Sequence, residues 1–206
     1  MFLSQLILDD HQTEVRKDLS NVHNLHRRIM SAFPDEERQQ PRADWKVLYR
    51  YEPESNQLLV QSSLEPDWQR LPTGYLQTPA AVKSLQPILQ NLTEGRQLRF
   101  RLWANPTKRD AQTRKILALY RADDQEEWLK RKGQNYGFSV QYLQVHNRPK
   151  ILGIKPRSTA PIRLSVVNFQ GVLKIENNEQ FKTALMTGIG RGKSYGCGLL
   201  SLAPLG

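Results

Sequence analysis

The sequence QLRFRLW at positions 97–103 shows the alternation of a half-buried β-strand. Successive side chains of a strand point to opposite faces, so the residues divide into two sets. One side carries the apolar residues Leu98, Phe100 and Leu102. The other side carries Arg99, Arg101 and Trp103. The stretch therefore predicts a strand with a core-facing side and a basic side, on which Arg99 and Arg101 are candidate contacts for a polyanion.

The segments that follow this strand continue as alternating helices and strands. Asp123 or Asp124 caps a predicted helix that ends near residue 132, before the stop signal Gly133. A strand at 138–142 follows, and then a hairpin at 162–176 that turns at Gln170-Gly171. Asn177 or Asn178 caps the next predicted helix, and a short strand at 199–203 closes the chain. The second half thus predicts a βαββαβ order.

The first half gives a shorter version of the same order. A strand is predicted at 2–8, a helix at 20–33 before Pro34, and a hairpin from the runs 45–51 and 58–63. Residues 64–97 are richer in Pro, Gly, Thr and Gln, with one possible short helix at 79–91. We therefore predict an α+β protein of two tandem ferredoxin-like (RRM-like) domains, 1–91 and 92–206, of which the first is less complete.

Composition narrows the functional classes. The chain has 206 residues with 30 Lys+Arg against 20 Asp+Glu, which gives a net charge of +10 and favours polyanions such as nucleic acids. Its single cysteine, Cys197, excludes an intramolecular disulfide and a cysteine-rich zinc site, and it fits a reducing cytoplasm. No apolar run approaches the ~20 residues that span a bilayer, so we expect a soluble protein without a membrane partner.

The segment GIGRGKSYGCG at 188–198 is the most specific motif. Glycines such as Gly190 and Gly192 let the backbone approach a phosphate, and Arg191 and Lys193 add positive charge there. The alternative is a loop that only packs a helix against a strand. A nucleotide-binding P-loop is disfavoured because Thr187 stands five positions before Gly192 and the segment follows a helix. We expect no nucleotide cofactor.

This glycine-rich segment, with the sequence LLSLAPL after it, resembles the C-terminal signature of the CRISPR repeat-associated RNA-binding superfamily. Within that superfamily the chain is similar to the CasE endonucleases of the type I-E Cascade complex. The segment RFRLWANPTKR at 99–109 is similar to a second family motif. Shorter matches occur at Met1–Ser4, Asp18–His26 and Gln125–Leu129, so the resemblance spans the chain.

The resemblance implies a fold and a reaction. Members of this family have two ferredoxin-like domains and cut the repeat hairpin of CRISPR precursor RNA without a metal or another cofactor. The products carry a 2′,3′-cyclic phosphate and a 5′-hydroxyl, and the mature RNA stays bound. The implied partners are the CRISPR repeat RNA stem-loop and other Cascade subunits.

His26 matches the family's catalytic histidine. On a helical wheel it lies about 40° from Val22, at the flank of the apolar arc, where partial burial can tune an imidazole for proton transfer. A histidine at such a position also suits a structural role. His23 replaces a tyrosine that is common in the family, and it either shares the acid–base work or positions the substrate. The i, i+3 pair without a third ligand is weak evidence for a metal, and we expect none.

Basic residues supply candidate RNA contacts. Arg27 lies on the His23 side of the helix, whereas Arg28 points elsewhere. The other candidate cations are Arg99, Arg101, Lys108, Arg109, Lys150, Lys155 and Arg157. The sequence leaves open whether His26 acts as base or acid. It also leaves open two rivals, a non-catalytic RNA-binding scaffold of the same superfamily and a basic ribosome- or DNA-associated module.

Overall fold

A computed structural model of the chain describes residues 1–35, 40–156, 158 and 160–205. The chain divides into two compact units. Unit 1 comprises Met1–Pro87, Ile151–Arg163 and Ser194–Gly196, and unit 2 comprises Ile88–Lys150, Leu164–Lys193 and Cys197–Gly206. Two short segments from the second half of the sequence therefore belong to unit 1. The domain ranges 1–91 and 92–206 remain a prediction.

Unit 1 contains a four-stranded antiparallel sheet. Its elements are β1 (Phe2–Ile7), α1 (Thr13–Leu19), α2 (Val22–Met30), the one-turn α3 (Pro41–Asp44), β2 (Leu48–Glu52), β3 (Gln57–Ser62) and β4 (Ala81–Ser84). The strand order β2-β3-β1-β4 is that of a ferredoxin-like sheet. Between β3 and β4 a single turn of 3₁₀-helix at Trp68–Arg70 stands where a second helix would complete the pattern. The prediction of a less complete first copy is confirmed.

Unit 2 contains the complete pattern, which follows the short helix α4 (Gln86–Gln90). Its elements are β5 (Gln97–Ala104), β6 (Thr107–Arg109), β7 (Ile116–Ala118), α5 (Ala122–Asn135), β8 (Phe138–Asn147), β11 (Val167–Ile175), α6 (Asn178–Thr187) and β12 (Leu200–Ala203). The strand order is β12-β5-β11-β8, and all pairs are antiparallel. The strands β6 and β7 form a separate hairpin. Two more short strands, β9 (Ile151–Gly153) and β10 (Ile162–Leu164), pair with each other; β9 and the first two residues of β10 belong to the Ile151–Arg163 segment of unit 1.

The strand β5 alternates as its sequence predicts. Leu98, Phe100 and Leu102 are at most 5% exposed and belong to the core of unit 2. Arg99 and Arg101 are exposed on the other side. Trp103 departs from the basic face because it is buried, with the guanidinium of Arg148 4.6 Å from its ring centroid. A cation over an indole ring stabilises this arrangement and removes the tryptophan from solvent.

The predicted hairpin turn at Gln170-Gly171 is wrong. Both residues lie inside β11, which pairs with β5 on one side and β8 on the other. A Cβ atom at Gly171 would lie 1.9 Å from the carbonyl oxygen of Tyr142, so the glycine permits close approach of two strands instead of a turn.

The predicted helix at 79–91 is wrong in its first half. Ala81–Ser84 forms β4 and pairs with β1, which supplies backbone hydrogen bonds that the local sequence does not reveal. Only Gln86–Gln90 is helical. Across the described ranges, no helix is both long and apolar enough to span a bilayer.

Candidate active site

The helix α2 positions the two candidate catalytic histidines. It begins after Asn21, whose side-chain oxygen accepts a hydrogen bond from the backbone N–H of His23 at 3.1 Å. The apolar residues Val22, Leu25 and Ile29 are buried. His23 and His26 are half-buried, at the border between the core and solvent that the helical wheel predicts.

His26 has the environment of a proton acceptor. Burial lowers the pKa of its imidazole to about 4, and the positive charges of His23, Arg42 and Lys155 act in the same direction. Its Nδ1 atom is buried and has no hydrogen-bond partner among the described residues. The imidazole is therefore neutral at pH 7 and has an uncommitted nitrogen.

His23 is less buried than His26, and its pKa is lowered as well. Burial, followed by the charges of Arg27 and Lys155, lowers the pKa of His23 below its usual value. Its Nδ1 also has no hydrogen-bond partner within the part of the chain that the structure describes. Arg27 and Lys155 are both exposed. The structure thus brings four of the predicted site residues together in unit 1: His23, His26, Arg27 and Lys155.

Two further residues lie near His26, and neither was predicted to have a role. The rings of Tyr195 and His26 pack in a T-shaped arrangement, with 6.1 Å between ring centroids and 75° between planes. Arg42 donates a hydrogen bond to the carbonyl oxygen of Val47 at 3.1 Å, and burial lowers the pKa of its guanidinium. The position of Tyr195 within the glycine-rich motif could have suggested a functional role for this aromatic residue. No feature of the sequence pointed to Arg42.

The fully buried Tyr49 fixes the loop that carries Tyr195. Its hydroxyl donates a hydrogen bond to the carbonyl oxygen of Ser194 at 3.1 Å. Gly196 follows with φ of +83°, and a Cβ atom there would lie 3.4 Å from the Tyr49 ring. A residue with a side chain is disfavoured at this position by the backbone angle, and its Cβ would be in van der Waals contact with the ring.

Arg28 has a structural role, in agreement with its predicted direction away from the histidines. Its Nε donates to Oδ2 of Asp18 at 2.7 Å, and its Nη2 lies 3.3 Å from Oε2 of Glu14. The hydroxyl of Tyr75 donates to the same oxygen of Asp18 at 3.0 Å. The bonds of Arg28 connect the histidine-bearing helix α2 to α1.

The part of the glycine-rich segment that lies in unit 2 is built by close packing. Gly190 has φ of +86°, and a Cβ atom there would lie 3.0 Å from the Trp128 ring. The N–H of Ile189 donates to the carbonyl of Gly198, whose own N–H donates to the carbonyl of Trp103. Packing therefore explains part of the glycine content, and the phosphate contacts of Gly190, Arg191, Gly192 and Lys193 stay a prediction.

The other predicted RNA contacts lie in unit 2 or outside the described residues. Arg99 and Arg101 are exposed on β5, and Arg99 also donates to the carbonyl of Pro204 at 2.9 Å. Lys108 and Arg109 are exposed on the β6–β7 hairpin. Lys150 is exposed as well. Arg157 lies outside the described residues.

The groups that could ligate a metal lie away from the histidine pair in the sequence. Among the described residues, three potential ligand atoms converge at Asp9, Asp10 and His11, and neither His23 nor His26 belongs to this group. Cys197 is fully buried, and burial raises the pKa of its thiol to about 12, which keeps it protonated.

A ferredoxin-like unit with a histidine pair on its second helix, joined to a second, complete ferredoxin-like unit, defines a class of α+β protein suited to acid–base chemistry on a polyanion. The chain matches the family model described as CRISPR associated protein over residues 1–204, and it belongs to that family. The predicted resemblance and the predicted fold of two ferredoxin-like domains are confirmed.

Two relatives and one solved structure support this assignment. The chain is 34% identical to the CRISPR-associated endoribonuclease Cse3 of Thermus thermophilus, over 99% of this chain and 100% of the relative. It is 30% identical to the CRISPR system Cascade subunit CasE of Escherichia coli, over 100% of both. The solved structure of the CRISPR endoribonuclease Cse3 bound to a 19-nucleotide RNA is similar with a TM-score of 0.86 at 32% identity, covering 99% of this chain and 100% of that chain.

Proposed function

We propose that this protein is an endoribonuclease that cuts CRISPR precursor RNA at the repeat hairpin and retains the mature RNA as a subunit of a Cascade complex. Its full-length relatives carry the names of a CRISPR endoribonuclease and a Cascade subunit, and the solved relative holds RNA. The observation that carries the catalytic part is the half-buried His26 beside His23: its imidazole is neutral at pH 7, and its Nδ1 has no hydrogen-bond partner among the described residues. The low cysteine content fits action in the reducing cytoplasm.

His26 acts as the general base in this proposal. Its neutral imidazole takes the proton from the ribose 2′-hydroxyl, and the 2′-oxygen attacks the adjacent phosphorus. The bond from phosphorus to the 5′-oxygen breaks, which leaves a 2′,3′-cyclic phosphate on one product and a 5′-hydroxyl on the other. A pKa near 4 in the RNA-free protein keeps the base form populated throughout the neutral range.

The departing 5′-oxygen needs a proton, and His23 is the candidate donor. A phosphate anion beside it favours the protonated imidazole, so RNA binding opposes the burial and the cationic charges that lower its pKa in the free protein. Arg27 and Lys155 supply positive charge for the phosphorane that forms during the attack. In this scheme the two histidines transfer both protons and the two cations stabilise the negative charge, so no metal is needed.

In this proposal each unit contributes its own RNA contacts. The candidates are Arg27 and Lys155 in unit 1, Arg157 outside the described residues, and, in unit 2, Arg99, Arg101, Lys108, Arg109, Gly190, Arg191, Gly192 and Lys193. Most of the described cations among them are exposed, as contacts with a phosphate backbone require. The net charge of +10 supports binding of a polyanion.

The test incubates the purified protein with a panel of CRISPR repeat hairpin RNAs, with and without excess chelator. We expect one hairpin to be cut at a single position, at the same rate in chelator, with a cyclic phosphate on the product. A matched RNA with a 2′-deoxyribose at the cleavage position should bind but stay intact, because the nucleophile is gone. Binding of a hairpin without any cutting would replace this proposal with the non-catalytic scaffold, and loss of cutting in chelator would refute the metal-free mechanism.

A further inference from the structure

The side-chain amide of Asn21 joins two segments that are distant in sequence. Its Oδ1 accepts hydrogen bonds from the backbone N–H groups of His23 and of Ile154, each at 3.1 Å. Its Nδ2 donates to the carbonyl oxygen of Ile154, also at 3.1 Å. One amide therefore caps α2 and satisfies both backbone groups of a residue 133 positions away.

The segment that Asn21 holds is tightly packed against the first turn of α2. A Cβ atom at Gly153 would lie 2.7 Å from Oδ1 of Asn21 and 2.9 Å from Cγ1 of Val22, so only glycine fits without displacement. Lys155 follows Ile154 directly, and its charge acts on both His23 and His26. The hydrogen bonds between Asn21 and Ile154 thus form a clamp. The residue next to this clamp, Lys155, is a cation that acts on the histidine pair.

A helix cap alone does not explain this arrangement. Serine, threonine and aspartate cap helices as well as asparagine does, because each offers one acceptor to the N-terminal N–H groups. Asparagine also carries a donor, which lets it pair with the N–H and the carbonyl of one distant residue. Asn177, which caps α6, makes the simpler contact by accepting from the N–H of Gln180 at 3.0 Å.

We propose that Asn21 is a positioning residue for the cleavage reaction: it holds the Gly153–Lys155 segment against α2, and this keeps the Lys155 ammonium beside His23 and His26. The inference rests on the proposed function. Lys155 supplies positive charge to the reacting phosphate, and Asn21 acts only through its placement.

The experiment separates the cap from the clamp. Asn21→Ser keeps an acceptor for the N–H of His23 but is too short to pair with both backbone groups of Ile154. Gly153→Ala is the second variant: its methyl group would collide with Oδ1 of Asn21 and Cγ1 of Val22 and so displace the segment, although the residue Asn21 is retained. Asn177→Ser is the matched control, a cap substitution on a helix of unit 2. Circular dichroism and thermal melting establish that each variant is folded.

The first measurement needs no RNA. Titration of the imidazole signals by nuclear magnetic resonance reports His23, which faces Arg27 and Lys155, and His26, which faces His23, Arg42, Lys155 and Tyr195. We expect the pKa of both histidines to rise in Asn21→Ser and in Gly153→Ala, because the Lys155 charge moves away. In a Lys155→Ala background, Asn21→Ser should cause no further rise. Asn177→Ser should leave both titrations unchanged.

The second measurement is single-turnover cleavage at saturating RNA, with a repeat hairpin that the wild-type protein cuts. Asn21→Ser and Gly153→Ala should each lower the rate about 10-fold or more, the scale expected from a misplaced charged group. Asn177→Ser should cut at the wild-type rate. Failure of the wild-type protein to cut any repeat would overturn the proposed function, while the titrations would still report on the clamp.

Two results would overturn the inference. One is a folded Asn21→Ser variant with unchanged histidine titrations and an unchanged rate at saturating RNA. The other is an equal effect of Asn21→Ser in the presence and absence of Lys155, which would assign the residue to helix capping alone.

Discussion

Tyr195 and His26 form an edge-to-face ring pair, with centroids 6.1 Å apart and planes inclined by 75°. Since burial is the main cause of the lowered His26 pKa, this ring helps keep the imidazole neutral. We predict that Tyr195→Ala admits water and raises the pKa of His26, whereas Tyr195→Phe keeps it low. Histidine titration by nuclear magnetic resonance tests this, and an equal rise in both variants would point to the hydroxyl instead.

Replacement of His26 should remove the chemical step and spare binding. His26→Ala is expected to lower single-turnover cleavage by on the order of 10²–10⁴-fold, the usual contribution of a positioned acid or base. RNA affinity should fall far less, because many phosphate contacts share the binding energy. His11→Ala, at an exposed histidine of the same unit, is the control and should cut normally. A folded His26→Ala variant that cuts at the wild-type rate would contradict the central assignment.

His23 should be replaceable by the residue that is common in the family. His23→Ala is expected to slow cleavage and to alter the pH–rate profile, because a titrating group beside the scissile phosphate is lost. His23→Tyr should retain substantial activity, since a phenol can still donate a hydrogen bond to a phosphate or a ribose hydroxyl. Cleavage rates of both variants and the wild-type protein, measured from pH 5 to 9, test these two expectations. Equal activity of His23→Ala and the wild-type protein would leave His23 without a catalytic role.

The lowered pKa of His26 should also affect folding stability. Between pH 6.5 and 4 the unfolded chain binds a proton at this residue and the folded chain does not, so stability falls as the pH drops through this window. The loss saturates below pH 4 at up to about 3 kcal/mol. Urea unfolding at several pH values should show this loss, and His26→Gln should make it shallower. An identical pH dependence in the variant would mean that His26 titrates normally.

RNA binding should weaken steeply with salt, because neutralised phosphates release counterions. Lys193→Ala and Arg101→Ala should each reduce the slope of log affinity against log salt by about one. The control is Arg131→Ala, an exposed cation 3.8 Å from Glu127 on α5. Filter binding from low to moderate salt measures the slopes. Wild-type affinity and slope in both test variants would remove these two residues from the RNA surface.

The sequence predicts the fold where local patterns and tertiary packing agree. The alternation at 97–103 becomes β5 because its apolar side faces a core. Gly171 was misinterpreted because a glycine in the sequence is compatible with a turn and also with a close approach of two strands. Only the folded structure, in which the backbone of Tyr142 lies against Gly171, shows that the second reason applies. Ala81–Ser84 becomes a strand because β1 offers it an edge, which is a property of the sheet and not of the segment.

For the candidate site, too, the sequence predicts what a local pattern determines and misses the contacts that form only in the folded chain. The periodicity of α2 is enough to place His26 at the border of the core. The Tyr195 ring beside it and the pairing of Asn21 with Ile154 depend on chain segments that meet only after folding. No local pattern encodes such contacts, so Tyr195, Arg42 and Asn21 were not predicted.

The burial of Cys197 makes the protein convenient for spectroscopy. Its thiol is the only one in the chain, is shielded from solvent and stays protonated because its pKa is raised to about 12. Maleimide reagents attack the exposed thiolate form, so the native protein should resist labelling under mild conditions. A single cysteine introduced at an exposed position that is not a proposed RNA contact, such as Leu117 on the β6–β7 hairpin, would then carry a fluorophore at a known place. It would report RNA binding in real time without replacement of Cys197.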